Sequence, residues 1–357
     1  MPLHRIWALA TLAGAGAVLQ AAEPTSAEIA KQVSAALASN PEWWATTKLN
    51  YPQSLDLTCP RGGKKWDPKI NPGHWTWDVV SPNPGRWREG TKFWHMVLDN
   101  AKQKSLPEAE RQAIRQLAHC YAELLQDWPR ALHWYAESRK LNGEEDESTI
   151  ATAHAYWRLG ARTLAVQTLK PLTADATRHG SLIKQWADLG EYPTAYRLAQ
   201  AKVGDKEDIG WFMAGYTAQL EGSWSKALDS YRKAAAAKES ASGRDWKQTV
   251  VRAKAASEAI ILFETFDLGK VADGTYTATS PGYAGEITVE VAVAAKKIAT
   301  VRVTQHKEKQ YYASLSEIPA KIIAKQHVKG VDATLGATIT SEAIVYGTAK
   351  ALQQGRR

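Results

Sequence analysis

At 357 residues the chain has room for two or three domains. Its two cysteines, Cys59 and Cys120, form no cluster for iron–sulfur or zinc, and no C-x-x-C-H run offers a haem attachment. The formal net charge is +8, but the lysines and arginines are interspersed with acids rather than massed, which argues against a nucleic-acid partner.

The chain opens on Met1-Pro-Leu-His-Arg5, a short basic stretch, then an uncharged and mostly apolar run from Ile6 to Leu19. Small residues at Ala21 and Ala22 precede the polar Glu23-Pro-Thr-Ser26. This layout predicts a secretory signal peptide over residues 1–22, cleaved after Ala21 or Ala22. The run is short for a membrane span, and no cysteine stands there to take a lipid. The expected location is therefore outside the cytoplasm, in the periplasm or cell envelope. Export permits a Cys59–Cys120 disulfide, which the sequence leaves open.

Residues 23–105 are rich in tryptophan, with seven between Trp43 and Trp94 amid prolines and glycines. Two readings stand side by side. The rings either bind a sugar, a quinone or a peptide, or they form a loop-rich cap that replaces a regular core and seals the next helix. His74, Asp78 and His95 make no persuasive metal spacing, and no metal is expected.

From 106 to 265 the pattern is helical and repetitive. Ala131, Ala165, Ala195 and Ala227 recur at spacings of 34, 30 and 32 residues. Gly160, Gly190 and Gly222 stand five residues before the last three, and Gln126 takes that place before the first. A small alanine lets two antiparallel helices approach, and a glycine closes the turn between them. The pattern resembles the tetratricopeptide repeat. Such an array serves either as a concave surface that docks a partner or as a spacer.

The last quarter, 266–354, changes character. Asp273 to Thr279 reads as a short strand, and Ser280-Pro-Gly-Tyr-Ala-Gly-Glu-Ile287 as a tight bend with Gly282 and Gly285 on either side of Tyr283. Val289, Val291 and Val293 share one face of a second strand, and Ile298 to Val303 makes a third across Ala294-Ala-Lys-Lys297. His306 and Glu308 follow at its end. Ile318 to Gln326 predicts a helix with proline in its first turn. Asp332-Ala-Thr-Leu-Gly-Ala-Thr338-Ile-Thr-Ser341 then leads into a helix for which Ser341 reads as the N-cap. A helix start of this kind favours a phosphate.

These segments, in this order, resemble the FMN-binding domain family found in FMN subunits of sodium-pumping NADH:quinone oxidoreductase and of Rnf complexes. The attachment motif of that family is written D-x-x-S-G-A-T. Asp332, Gly336, Ala337 and Thr338 match it here, while Leu335 stands where the family has serine, with Thr334 one place upstream. The resemblance implies FMN held through a phosphoester on Thr338, installed by a flavin transferase. It also points to Asp332, Thr334, Gly336, Ala337, Gly282, Tyr283, Gly285, His306 and Glu308 as cofactor-binding candidates. Tyr283 either stacks on the isoalloxazine or fills the small core; His306 and Glu308 either approach the flavin or cap the sheet end. Lys296, Lys297, Lys307 and Lys309 make a basic rim that either is merely solvated or steers an acidic partner.

The expected architecture is thus multidomain: a tetratricopeptide-like helical array followed by a small α+β FMN-binding domain with an antiparallel sheet. No Rossmann fingerprint or catalytic triad is visible, so the expected role is electron relay to an unidentified redox partner, membrane-bound or soluble, rather than self-contained catalysis. The alternative is a repeat-based scaffold whose flavin domain is not loaded, for which Leu335 is the only support.

Overall fold

Thr25 and Glu28 start the first helix by capping each other: the Thr25 hydroxyl accepts from the Glu28 amide, and the Glu28 carboxylate accepts from the Thr25 amide at 2.7 Å. This helix, α1 (Ser26–Leu37), belongs to a computed structural model that describes residues 22–59, 65–143, 145–172, 180–239 and 243–356. The expected signal peptide, apart from residue 22, lies outside the described residues.

The tryptophan-rich segment folds around α2 (Pro72–Trp75), which runs into a π-helical turn at Thr76–Val80, and α3 (Trp87–Gln103). Trp75, Phe93 and Trp94 are all buried and meet edge to face, with ring centres 4.8 and 5.4 Å apart. The indole of Trp94 donates to the Thr76 hydroxyl at 2.8 Å, so the polar handle of the ring is satisfied inside the core. That core continues into the first helix of the array without a break, because α3 packs directly on α4 (Pro107–His119). Cys59 and Cys120 are both buried as free thiols.

From α4 onward the helices run in antiparallel pairs. A π-helical turn (Cys120–Leu124) extends α4 before α5 (Trp128–Asn142) returns. The next pairs are α6 (Asp146–Arg158) with α7 (Arg162–Leu169), α8 (Gly180–Asp188) with α9 (Tyr192–Asp205), and α10 (Glu207–Glu221) with α11 (Trp224–Ala236). A long helix, α12 (Gly243–Thr265), closes the stack. The four repeat alanines are wholly buried where each pair crosses. Gly160, Gly190 and Gly222 adopt φ of 82°, 76° and 83°, and Gln126 occupies the same left-handed region at 53°. A side chain held there costs about 1–3 kcal/mol. Gln126 has a use for it, since its amide donates to Glu317 of the last domain at 3.0 Å.

The last domain is a meander of β1 (Gly274–Pro281), β2 (Glu286–Ala294) and β3 (Lys297–Gln305). Ile287, Val289, Val291 and Val293 of β2 all point into the core, as the period-two pattern predicts. Two helices cover that face: α13 (Ser314–Lys325) against β3, and α14 (Thr338–Gln354) against β1 and β2. Helix α13 begins a turn earlier than the sequence suggested. The Ser316 and Glu317 amides bond to the Ala313 carbonyl, so Pro319 lies inside the helix rather than in its first turn. Between β2 and β3 the turn residues Ala295 and Lys296 have φ of 50° and 60°, a mirror-image geometry that normally calls for Asn-Gly. Asp273 holds it instead, its carboxylate accepting from the Ala295 amide at 2.8 Å and the Lys296 amide at 3.2 Å. Asp273→Ala is expected to destabilise the domain by about 2 kcal/mol, the scale of lost hydrogen bonds to a charged group. Urea unfolding measures it; an unchanged midpoint would mean that the turn holds itself.

Candidate functional site

The segment joining α13 to α14 makes its last bend at Thr334–Ala337, where the Ala337 amide bonds to the Thr334 carbonyl at 3.1 Å. Gly336 takes the third place with φ 74°. A Cβ there would run into the Glu123 carboxylate and sit 2.6 Å from the Tyr312 ring, so only glycine lets the loop lie this close to the array. Helix α14 then starts at Thr338, four residues before the start expected from sequence with Ser341 as its cap. Ser341 is not the cap. Its hydroxyl donates back to the Ala337 carbonyl at 2.8 Å and accepts from the Thr334 amide at 3.0 Å, which ties the loop to the first helical turn. The residue at the true cap position, Ala337, has no side chain able to cap the helix. No side chain therefore caps the head of α14, and Thr338 stands at the positive end of the helix dipole.

Several candidate residues act as struts around this loop. Glu308 is buried and spans two elements: one oxygen accepts from the Ala284 amide at 2.7 Å, the other from the Thr340 hydroxyl at 2.6 Å. It thereby fastens the bend closed by the Gly282 amide and Gly285 carbonyl (2.8 Å) to the head of α14. His306 is exposed and its ring meets Tyr311, centres 5.2 Å apart. Asp332 pairs with Lys321 at 3.0 Å and with Arg158 of the array at 3.2 Å. The Thr334 hydroxyl donates to Glu317 at 2.6 Å. Glu317 also meets Lys321 at 2.7 Å and Arg158 at 3.3 Å. Burial pushes the Glu317 carboxyl up, but the hydrogen bonds from Lys321, Thr334 and Gln126 outweigh it and bring it down to about 2.

Beyond the struts lies a cleft of about 710 Å³, within the usual range for small-molecule sites. The last domain contributes Tyr283 and the run from Leu335 to Thr340, Thr338 included. The array contributes the inner face of its stack: Glu123 beyond α4, His154 of α6, Gln185 of α8, Phe212 of α10 and Arg252 of α12. The tryptophan-rich segment adds Trp77. Arg252 grips the carboxylate of Glu342 on α14 with both nitrogens at 3.0–3.1 Å and lies over the Phe212 ring. Glu123 pairs with His119 at 3.3 Å; burial opposes both charges, but their attraction prevails, lowering the carboxyl and raising the imidazole.

The structure thus brings Thr338, Gly336, Ala337 and Tyr283 to one cavity and sets Asp332, Thr334 and Glu308 behind it as supports. Leu335 lines the cleft and packs against the core shared by the tryptophan-rich segment and the first repeats. No motif marked Trp77, Glu123, His154, Gln185 or Arg252. A faint signal exists for two of them, since His154 and Gln185 stand six and five residues before Gly160 and Gly190, near-equivalent places in successive repeats.

A three-stranded antiparallel sheet backed by two helices, with an uncapped helix head turned to a cleft, defines a small α+β ligand-binding domain. Residues 282–353 match the model of the FMN-binding domain family, from the glycine bend through α14, and the carboxy-terminal domain is an FMN-binding domain. A protein of Treponema pallidum (strain Nichols), described as uncharacterized, is 36% identical over 84 residues. That stretch is 23% of this chain and 23% of the relative, so the match spans about a quarter of the length of each.

Glu317 makes the junction between array and domain sensitive to acid. Its folded-state value lies below the ordinary 4.5, so its contribution is present above pH 4.5 and is lost as pH falls through about 2. Glu317→Gln is expected to cost on the order of 3 kcal/mol at pH 7. Denaturant unfolding across pH 7 to 2 should show the gap between parent and variant closing; a constant gap would contradict the assignment.

Proposed function

We propose that the protein is an exported flavoprotein that relays electrons through FMN joined by a phosphoester to Thr338. The observation that carries the reading is the head of α14, which no side chain caps and where Thr338 lines the cleft. Such a helix head suits the phosphate. Trp77 and Tyr283, 45% and 53% exposed, offer two aromatic faces in the same cleft to a flat ring. FMN supplies the electron-transfer chemistry when bound; the protein binds, orients and shelters it.

Attachment needs an activated donor, because an alcohol and a free phosphate do not condense favourably in water. A flavin transferase would present the FMN phosphoryl as a phosphoanhydride. The Thr338 Oγ–P bond would form as the anhydride P–O bond breaks, the other half of the anhydride leaving as a phosphate monoester and the hydroxyl proton passing to a base on the transferase. A phosphoester keeps the cofactor with a protein outside the cytoplasm, where a loosely held one is lost by dilution. Among the described residues no helix is long and apolar enough to cross a membrane. Export therefore rests on the sequence of residues 1–22. The electron partner is a separate redox protein, membrane-bound or soluble, and docks on the outer surfaces of the array or the lysine rim. Lys309 of that rim lies 3.8 Å from Asp78, and the Lys296 ammonium bonds to the Val271 carbonyl.

One measurement reads attachment and export together. Intact mass of protein recovered from the envelope of cells that coexpress a flavin transferase should correspond to a chain beginning at Ala22 or Glu23 plus one FMN adduct. Thr338→Ala should lack the adduct. A parent without it, under the same conditions, would favour the unloaded scaffold.

A further inference from the structure

Two apolar cores meet at α6. Ile150 and Ala153 belong to one, which runs through the later repeats and continues into the sheet of the FMN-binding domain. Ala155 belongs to the other, which joins the tryptophan-rich segment to α4 and α5. The last domain is therefore built on the later repeats. Its attachment loop crosses to the other side: Ala337 is buried in the amino-terminal core together with Tyr312, and Leu335 packs against that core. Polar contacts follow the same seam. The Tyr311 hydroxyl donates to the Pro82 carbonyl at 2.5 Å and the Gln310 amide to the Trp77 carbonyl at 3.0 Å. Gln126 and Arg158 hold Glu317, and Arg158 also holds Asp332.

This closure hides the motif from a second protein. Thr334 and Ala337 are 1% and 3% exposed, Asp332 is paired, and Gly336 and Thr338 line the cleft. A cleft of about 710 Å³ admits a small molecule. An enzyme that grips a protein segment needs on the order of 600 Å² on each side, and here the amino-terminal core already covers the loop. We infer that the flavin transferase and the amino-terminal core compete for the same face of the attachment loop. Loading takes place on a form whose seam has opened and freed residues 332–338; closure afterwards returns the loop to the array. Repeats contact mainly their neighbours, so opening at one boundary sacrifices the contacts of that boundary and leaves both cores whole. The inference rests on the phosphoester reading of Thr338 and adds the order of events. With FAD as the anhydride donor, the Thr338 oxygen takes the FMN phosphoryl and AMP leaves, and no oxidant or reductant is consumed.

The test incubates the full, folded, unloaded chain with a flavin transferase and FAD, and follows the flavin fluorescence that stays with the denatured protein. Asp78 and Lys309 meet across the seam at 3.8 Å. Asp78→Cys and Lys309→Cys, introduced together, let a short bismaleimide with a cleavable disulfide tie the seam shut. Cys59 and Cys120 are buried and do not compete for the reagent. The tied protein should load at least tenfold more slowly than the same variant capped with a monofunctional maleimide, and cleaving the linker should restore the rate. Arg158→Met, which removes the cation shared by Glu317 and Asp332, should load several-fold faster than the parent. Equal rates for tied and capped protein would overturn the inference while leaving the phosphoester reading intact. Parent and capped protein that never take up flavin would instead remove that reading. Tied and capped protein share one sequence, so their comparison decides even where Arg158→Met fails to fold.

Discussion

The Glu317 carboxylate accepts from four side chains, and they come from two different parts of the chain. Gln126 and Arg158 reach it from the helical array, Lys321 and Thr334 from the FMN-binding domain. With Asp332 bound to the same arginine and lysine, two acids and two bases form a closed network at the junction. Charges removed from water to this degree are tolerated only when each is paired and hydrogen-bonded. The arrangement fixes the small domain against the inner face of the array, and the cleft exists because of that docking. Gly336 shows how close the approach is, since any side chain there would collide with Glu123.

Much of the architecture is legible from local patterns. Alanine and glycine spacing marks the helix pairs, and period-two valines mark β2, because burial of these residues is decided within one repeat or one hairpin. Gln126 illustrates the limit of such reading. It breaks the glycine pattern yet adopts the same left-handed backbone, because a long-range hydrogen bond to Glu317 compensates for the strain. Ser341 misleads in the opposite way. A serine before an apolar helical run is a reasonable cap, but its hydroxyl serves the loop from inside the first turn, and the helix begins at Thr338. Pro319 misleads similarly, as Ala313 supplies an acceptor for a turn ahead of it.

The site itself is less legible, for a physical reason. Thr338, Gly336 and Ala337 are recognisable as a contiguous motif, whereas Trp77, His154, Gln185 and Arg252 belong to the cleft only after the domain docks. No periodicity in a helix says which ligand its inner face will meet. Leu335 is also clearer in three dimensions, since its side chain packs on the core next to the loop instead of pointing away from an impaired motif. Asp332, Thr334 and Glu308 are engaged in holding the loop and the glycine bend beside the helix head.

The central claim is that one cleft, shared by the array and the FMN-binding domain, holds the flavin. Hydrogen–deuterium exchange comparing the FMN-loaded chain with unloaded Thr338→Ala tests it most directly, because amide protection reports which backbone segments the cofactor stabilises. The account predicts slower exchange not only across residues 332–340 but also in α6 and α8, whose side chains line the opposite wall. Protection confined to residues 282–353, with the array helices unchanged, would contradict it.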